Sequence, residues 1–186
     1  MAASALFPEA AAIDRGELVV GGLSASALAE EFGTPLVVYC EQTLLAAARA
    51  YLDAAPEALV LYSVKAFPSV AVLRLLAAQG LGADVSTLGE LAYALKAGVP
   101  GERVVVHGNN KSDEELRAGA EAGARFVVVD ALDEVERAAA AGVARALVRV
   151  TPGIDADTHA AIRTAHHGSE ERRVGKECRS RWSPYH

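Results

Sequence analysis

The chain has 186 residues, of which 52% are hydrophobic and 23% are charged, a composition typical of one globular domain of ordinary size. Its formal net charge of −6 excludes the basic surface that nucleic-acid binding requires. The N-terminus lacks the basic start and apolar core of a signal peptide, and no apolar run is long enough to span a membrane. We therefore predict a cytoplasmic protein without nucleic-acid or membrane partners.

The first predicted elements are a helix over Ser24–Phe32, a strand over Pro35–Tyr39 and a helix over Glu41–Leu52. This segment either leads into the following fold or pairs elsewhere. The two cysteines, Cys40 and Cys178, have neither the spacing of metal ligands nor that of a disulfide framework. No metal site is predicted.

From residue 57 onward, short β-type runs alternate with Ala- and Leu-rich stretches that end at glycine, a pattern typical of βα units around a parallel sheet. Five strands are predicted, over Ala58–Val64, Leu81–Ser86, Arg103–His107, Phe126–Asp130 and Ala146–Val150. The four helices between them are predicted over Ser69–Gln79, Thr87–Ala97, Ser112–Ala122 and Leu132–Ala141. A glycine suited to a C-cap follows each helix, and Ser112 with Glu115 predicts a capping box.

Lys65 ends the first of these five strands, where a charge is unusual after a long apolar run. The chain has only four lysines beside fourteen arginines, so lysine does not serve as its general surface charge. A partly desolvated lysine loses its proton readily and forms a Schiff base with an aldehyde cofactor or a carbonyl substrate. The alternative is a lysine whose side chain simply extends from the strand end into solvent.

Polar residues stand at or near the end of each of the five strands. They are Lys65, Asp84, His107, Asp130 and Arg149. Because the carboxyl ends of parallel strands open on one face, we expect these side chains to converge. A doubly wound sheet gives a similar local pattern, but no glycine-rich phosphate fingerprint follows the first strand. We predict a TIM-type (β/α)8 barrel.

Four motifs occur in one order along the chain. They are Tyr62–Phe67, Gly82–Ser86 with Gly89–Leu91, His107–Ser112, and Leu147–Asp155 followed by Thr158–His159. Together they resemble the pyridoxal-phosphate-dependent ornithine/diaminopimelate/arginine decarboxylase family. The Asn109-Asn110-Lys111 stretch is similar to the diaminopimelate decarboxylase branch, and the resemblance runs from about Gly33 to about Ser169.

The resemblance implies a pyridoxal 5'-phosphate cofactor, an alanine-racemase-like barrel and a C-terminal β domain. The implied reaction is that of a carboxy-lyase of lysine biosynthesis, which removes a carboxylate from meso-diaminopimelate to yield lysine. The implied partners are a small-molecule amino-acid substrate and, for a full-length family member, a second copy in a homodimer. Three alternatives stay open: a non-catalytic pyridoxal-phosphate-binding carrier, an inert gene remnant, and a related amino-acid racemase or decarboxylase.

The resemblance also assigns catalytic and cofactor-binding residues. Lys65 matches the Schiff-base lysine, which is both catalytic and cofactor-binding. Asp84 matches an acidic residue near the cofactor, and Arg149 matches an arginine beside it at a strand end. The alternative for Asp84 and Arg149 is a salt bridge that holds strand ends together.

Other residues keep more than one interpretation. His107 contacts the cofactor, donates a proton, or closes its loop through Asn109 and Asn110, and we favour the loop. Glu90 is expected to stabilise the N-terminus of its helix through the helix dipole. Asp130 either orients the neighbouring strand end or caps the helix that follows it.

Two features depart from the family pattern. Phe67 stands where the family usually has asparagine, and beyond Ser169 the composition changes from alanine-rich to arginine-rich. We predict a leader over residues 1–34, the N-terminal part of the cofactor-binding barrel over residues 35–169, and a non-native or out-of-frame tail over residues 170–186. The alternative for the tail is a basic arm that binds an acidic partner. Because the barrel is expected to stop before closure, residues 1–186 alone are expected to form no lysine.

Overall fold

A computed structural model of the chain describes residues 7–8 and 10–150. The described residues fall into two compact units, one formed by the chain up to residue 60 together with residues 78–81, the other by residues 61–77 and 82–150. Predictions that concern residues 151–186, including the end of the fourth motif and the tail, lie outside the described residues. Among the helices described, none has the length and apolar character needed to cross a membrane.

The first unit contains a small antiparallel sheet with the strand order β1-β2-β3. Its strands are β1 (Ala11–Asp14), β2 (Glu17–Val20) and β3 (Leu23–Ser24). Arg15 and Gly16 join β1 to β2 with φ values of 48° and 85°, a two-residue turn with left-handed backbone at both positions. These strands are absent from the predicted elements, because Arg-Gly is not among the residue pairs typical of two-residue hairpins and only its glycine indicates a turn.

Two helices of the first unit confirm the prediction. They are α1 (Ala25–Phe32) and α2 (Glu41–Ala54). Ser24 caps α1, since its hydroxyl oxygen accepts a hydrogen bond from the backbone N–H of Ala27 at 3.1 Å. The carboxylate of Glu17 accepts hydrogen bonds from the hydroxyls of Ser24 and Ser26, which lower the pKa of Glu17. The cap of α1 is thereby tied to β2.

The predicted strand over Pro35–Tyr39 is wrong. All five residues are described and none of them belongs to a strand, and Val37 is 77% exposed. A run with high β propensity becomes a strand only when a second strand supplies hydrogen-bond partners. No strand of the described chain pairs with residues 35–39.

The second unit contains a five-stranded parallel sheet whose strand order follows the sequence. Its strands are β4 (Leu61–Ser63), β5 (Gly82–Val85), β6 (Val104–Val106), β7 (Phe126–Val129) and β8 (Ala146–Val148). A doubly wound sheet reverses its strand order at a switch point, whereas the strands of a (β/α)8 barrel are added one after another. The observed order is therefore that of consecutive barrel strands.

Four helices alternate with these strands, close to the predicted positions. They are α3 (Val70–Ala78), α4 (Leu88–Lys96), α5 (Asp113–Glu121) and α6 (Leu132–Ala140). The glycines after them all have positive φ, as C-cap glycines do. The predicted capping box is present, because Ser112 and Glu115 each accept a hydrogen bond from the other's backbone N–H. Between residues 61 and 150, this unit also contains two short 310 turns, Val64–Ala66 and Gly101–Arg103.

The first parallel strand is shorter than the predicted Ala58–Val64. Its ladder with β5 begins at Leu61, which pairs with Gly82, and Val64 already belongs to the 310 turn. Residues 58–60 have no ladder partner and stay outside the sheet. Lys65 therefore lies in a turn just beyond β4 rather than at the last position of a long strand.

The core of the second unit lies between the parallel sheet and its helices. It consists of apolar side chains such as Val64, Leu73, Ala83, Val85, Leu91, Val104, Val106, Leu116 and Val127. Burial of these side chains from successive βα units holds the strands side by side. The carboxyl ends of β4 to β8 consequently share one edge of the unit.

Candidate functional site

Lys65 lies in the 310 turn that follows β4, at the carboxyl end of the parallel sheet. This turn packs against β5 and α4. The Lys65 residue is exposed rather than partly buried, and no described residue forms a hydrogen bond or ion pair with its amine. Phe67 ends the turn, and its carbonyl oxygen accepts a hydrogen bond from the Tyr62 hydroxyl at 3.4 Å. A free primary amine is thus presented at the rim of the sheet.

Asp84 and His107 meet at the same end of the sheet. Asp84 pairs in register with Ser63, two residues before Lys65. One carboxylate oxygen of Asp84 lies 2.5 Å from Nδ1 of His107, and the other accepts a hydrogen bond from the Ser63 hydroxyl at 3.3 Å. A carboxylate only accepts hydrogen bonds, so Nδ1–H of His107 donates. The backbone N–H of His107 donates to the carbonyl of Val85 at 2.7 Å, which anchors the imidazole beside β5.

Asp130 and Arg149 form a second pair at the ends of β7 and β8. Nε of Arg149 lies 3.3 Å from Oδ1 of Asp130, whose side chain is only 1% exposed. Neither carboxylate oxygen of Asp130 accepts a hydrogen bond within the described chain, so the guanidinium balances its charge by proximity alone. Ala131, not Asp130, occupies the N-cap of α6 and makes no side-chain cap. Asp130 thus does not cap α6, and its contact with Arg149 agrees with the alternative that it orients the neighbouring strand end.

Two glutamates reach back from helix N-termini to the backbone of the preceding strand ends. The Glu90 carboxylate accepts from the N–H of Ser86 at 2.6 Å, and the Glu134 carboxylate accepts from the N–H of Asp130 at 2.9 Å. A carboxylate in the first helical turn is also stabilised by the helix dipole, which agrees with the expectation for Glu90. Glu134 is not among the residues predicted for the site, although its four-residue spacing from Asp130 repeats that of Glu90 from Ser86.

Lys111 has a role that its motif alone does not reveal. Its Nζ lies 3.0 Å from Oε1 of Glu134 and donates to the carbonyl of Gly108 at 2.6 Å. The two side chains are 1% and 4% exposed, which makes this an interior ion pair. Lys111 is therefore unsuited to react with a solute, in contrast to Lys65.

The structure brings the five predicted rim residues into one unit but not into one cluster. Asp84 contacts His107, and Asp130 contacts Arg149. Lys65 lies at the same sheet end, beside the strand that carries Asp84. The rim thereby offers a primary amine, a carboxylate–imidazole pair and a guanidinium, a set suited to an anionic aldehyde ligand.

Residues 41–178 match the pyridoxal binding domain of the pyridoxal-dependent decarboxylases. The chain belongs to this family. Membership confirms the predicted pyridoxal phosphate cofactor and the α/β fold of the alanine-racemase-like barrel. The residues at the rim fit this cofactor, because the Lys65 amine suits its aldehyde and the Arg149 guanidinium adds a positive charge at the same sheet end.

Several relatives in the family are diaminopimelate decarboxylases. The enzyme of Actinosynnema pretiosum subsp. auranticum is 46% identical over 172 residues, which cover 91% of this chain and 39% of that protein. The Bacillus subtilis enzyme is 41% identical and is matched over 86% of this chain and 38% of its own length. The chain thus spans less than two fifths of these relatives.

A solved structure in the family is also matched over most of this chain and less than two fifths of its own length. The diaminopimelate decarboxylase of M. jannaschii in complex with L-lysine superposes with a TM-score of 0.76 and 32% sequence identity. The match covers 88% of this chain and 39% of that one. The likeness therefore extends over most of the chain, as the four motifs in the sequence predict.

Proposed function

We propose that residues 61–150 supply the cofactor-linking lysine and the rim side chains of a diaminopimelate decarboxylase. The observation that carries the proposal is the Lys65 amine at the sheet end that also bears the Asp84–His107 pair, in a chain of the pyridoxal-dependent decarboxylase family. The substrate is inferred from relatives named diaminopimelate decarboxylase and from the resemblance of the Asn109-Asn110-Lys111 stretch to that branch.

Each rim residue has a defined task in this proposal. Nζ of Lys65 would hold the cofactor through its aldehyde and would carry a proton for delivery to the substrate carbon. When bound, pyridoxal phosphate supplies a ring that stabilises the negative charge left on that carbon after carbon dioxide departs. Asp84 fixes the orientation of the His107 imidazole, and Arg149 provides a permanent positive charge at the end of β8.

Paired assays of lysine formation from meso-diaminopimelate test the reaction. The full-length Actinosynnema relative is expected to release lysine, and the 186-residue chain is expected to take up pyridoxal phosphate at Lys65 without releasing lysine. Mass spectrometry of the products, with ornithine and arginine as comparison substrates, identifies what is decarboxylated. A chain that takes up no cofactor at Lys65 contradicts the proposal. The homodimer, the cytoplasmic location and the absence of nucleic-acid partners stay predictions.

Asp84→Asn is expected to weaken retention of pyridoxal phosphate by at least about tenfold, because a hydrogen bond to a charged group contributes about 1.5–3 kcal/mol. The amide keeps the size of the side chain but removes the negative charge that His107 contacts at 2.5 Å. The measurement is the cofactor concentration that half-saturates the chain. Asp133→Asn is the matched control, since Asp133 is an exposed aspartate in the first turn of α6, where loss of the charge costs at most about 1 kcal/mol. Equal effects of the two variants argue against a cofactor role for Asp84.

A further inference from the structure

The ion pair between Lys111 and Glu134 is a second charged element of the rim, separate from the residues assigned to the cofactor. Nζ of Lys111 and Oε1 of Glu134 are 3.0 Å apart, and both side chains are almost completely removed from solvent. Burial of two charges carries a large desolvation cost that their attraction offsets only in good geometry. An apolar pair of similar volume often gives equal or greater stability, so stability alone does not account for this arrangement.

The hydrogen bonds of this pair join two strand ends. On the β6 side, Nζ of Lys111 donates to the carbonyl of Gly108, the residue that follows His107. On the β7 side, the second oxygen of Glu134 accepts from the backbone N–H of Asp130. The pair thus connects the backbone beside His107 to the backbone of Asp130. The Gly108 carbonyl is next to the His107–Asp84 contact, and the Asp130 N–H belongs to the residue that contacts Arg149.

The Lys111 side chain contacts Gly108, the residue next to His107, through a hydrogen bond and through packing. The Gly108 φ of 112° lies in the left-handed region, which favours glycine. A Cβ at this position would lie 3.5 Å from Cγ of Lys111, so the lysine stem packs directly over the glycine. Both the stem and the amine of Lys111 thus contact the residue that follows His107.

A second anchor comes from α6. The Arg137 guanidinium donates to the carbonyl of Lys111 at 2.5 Å and to a carboxylate oxygen of Asp113 at 2.6 Å. Both Glu134 and Arg137 belong to α6, whereas Lys111 precedes α5. Side chain and backbone of Lys111 are thus both held from the same helix, which restrains the segment between β6 and α5.

We propose that Lys111 and Glu134 are a positioning pair, which holds the ends of β6 and β7 so that His107 faces Asp84 and Asp130 faces Arg149. The pair acts through these residues and does not itself touch a ligand. Its functional consequence rests on the proposed cofactor role of the rim. The effect of the pair on the contact between His107 and Asp84 does not depend on the cofactor.

The test compares Lys111→Met, Glu134→Leu and the double variant with the wild-type chain, and uses Lys96→Met as the control. Lys96 is an exposed lysine on α4. Two properties are measured: the melting temperature, and the downfield NMR signal of the His107 Nδ1–H, assigned by its loss in His107→Gln. The His107 Nδ1–H signal is measured on the chain without cofactor. Each single variant is expected to melt at a lower temperature, because it leaves one buried charge unpaired.

The double variant decides between positioning and simple stabilisation. It is expected to recover the melting temperature yet to lose the downfield His107 signal, and its retention of pyridoxal phosphate is expected to fall roughly tenfold. Recovery of both the melting temperature and the signal would overturn the proposal, since the pair would then contribute only stability. A double variant as unstable as the single ones would also overturn it, because the pair would be required for folding. If the wild-type chain takes up no cofactor, the proposed function fails while the NMR comparison still decides this inference.

Discussion

Lys65→Ala is expected to abolish covalent retention of pyridoxal phosphate, because no other lysine of the described chain combines a free amine with a place at the strand ends. Lys111 is held in a buried ion pair, and Lys96 lies on α4 away from the carboxyl ends of the strands. The chain is incubated with limiting cofactor and reduced with borohydride, and the labelled peptide is identified by mass spectrometry. In the wild-type chain, labelling of Lys65 is expected to exceed that of Lys96 by at least about tenfold, which corresponds to about 1.4 kcal/mol of specific binding.

Two further variants separate covalent attachment from charge. Lys65→Arg keeps a positive charge but offers a guanidinium that does not lose its proton, so it is expected to lose the covalent label as alanine does. Lys96→Ala removes an exposed lysine from the same unit and is expected to leave labelling of Lys65 unchanged. Equal labelling of Lys65 and Lys96 in the wild-type chain indicates surface reactivity only and contradicts the assigned role of Lys65.

The βα units could be predicted because their signals are local. Each of the four helices from α3 onward is followed by a glycine with positive φ, and Ser112 caps α5 with the predicted reciprocal bonds to Glu115. Such signals need only a few neighbouring residues, so the predicted helix ends agree with the structure to within two residues. Strand order follows from the same regularity, since successive βα units place successive strands side by side.

Features that depend on distant partners could not be predicted in this way. The run over Pro35–Tyr39 has the composition of a strand, but it forms no strand and joins neither of the described sheets. In the site, the pairing of Asp84 with His107 joins residues that are 23 positions apart. The ion pair of Lys111 and Glu134 likewise spans 23 positions and depends on the packing of α6 beside the loop after β6. Residue types at strand ends indicate candidates, and only the assembled sheet decides which of them meet.

Gly82→Ala is expected to lower the free energy of unfolding by about 3 kcal/mol or more, at the upper end of the cost of overpacking. A Cβ at position 82 would lie 2.1 Å from the carbonyl oxygen of Arg103 and 2.7 Å from Cδ2 of Leu61. A leucine side chain can rotate away, but the Arg103 oxygen belongs to the backbone that leads into β6. Relief of the clash therefore requires β5 and β6 to separate. Urea denaturation of the wild-type chain and of the variant measures the change in the free energy of unfolding.

Gly89→Ala is the matched control, because Gly89 lies in α4 and a Cβ there would be 3.9 Å from its nearest neighbour, Oγ1 of Thr87. Alanine is favoured over glycine in a helix by up to about 1 kcal/mol, so this variant is expected to be slightly more stable than the wild-type chain. Equal destabilisation by both variants contradicts the steric account of Gly82. The comparison also separates two kinds of motif residue. Gly82→Ala is expected to lose both the fold and the cofactor, because Gly82 is needed for the packing of the sheet. Lys65→Arg is expected to lose only the cofactor, because Lys65 is needed for covalent attachment and not for packing.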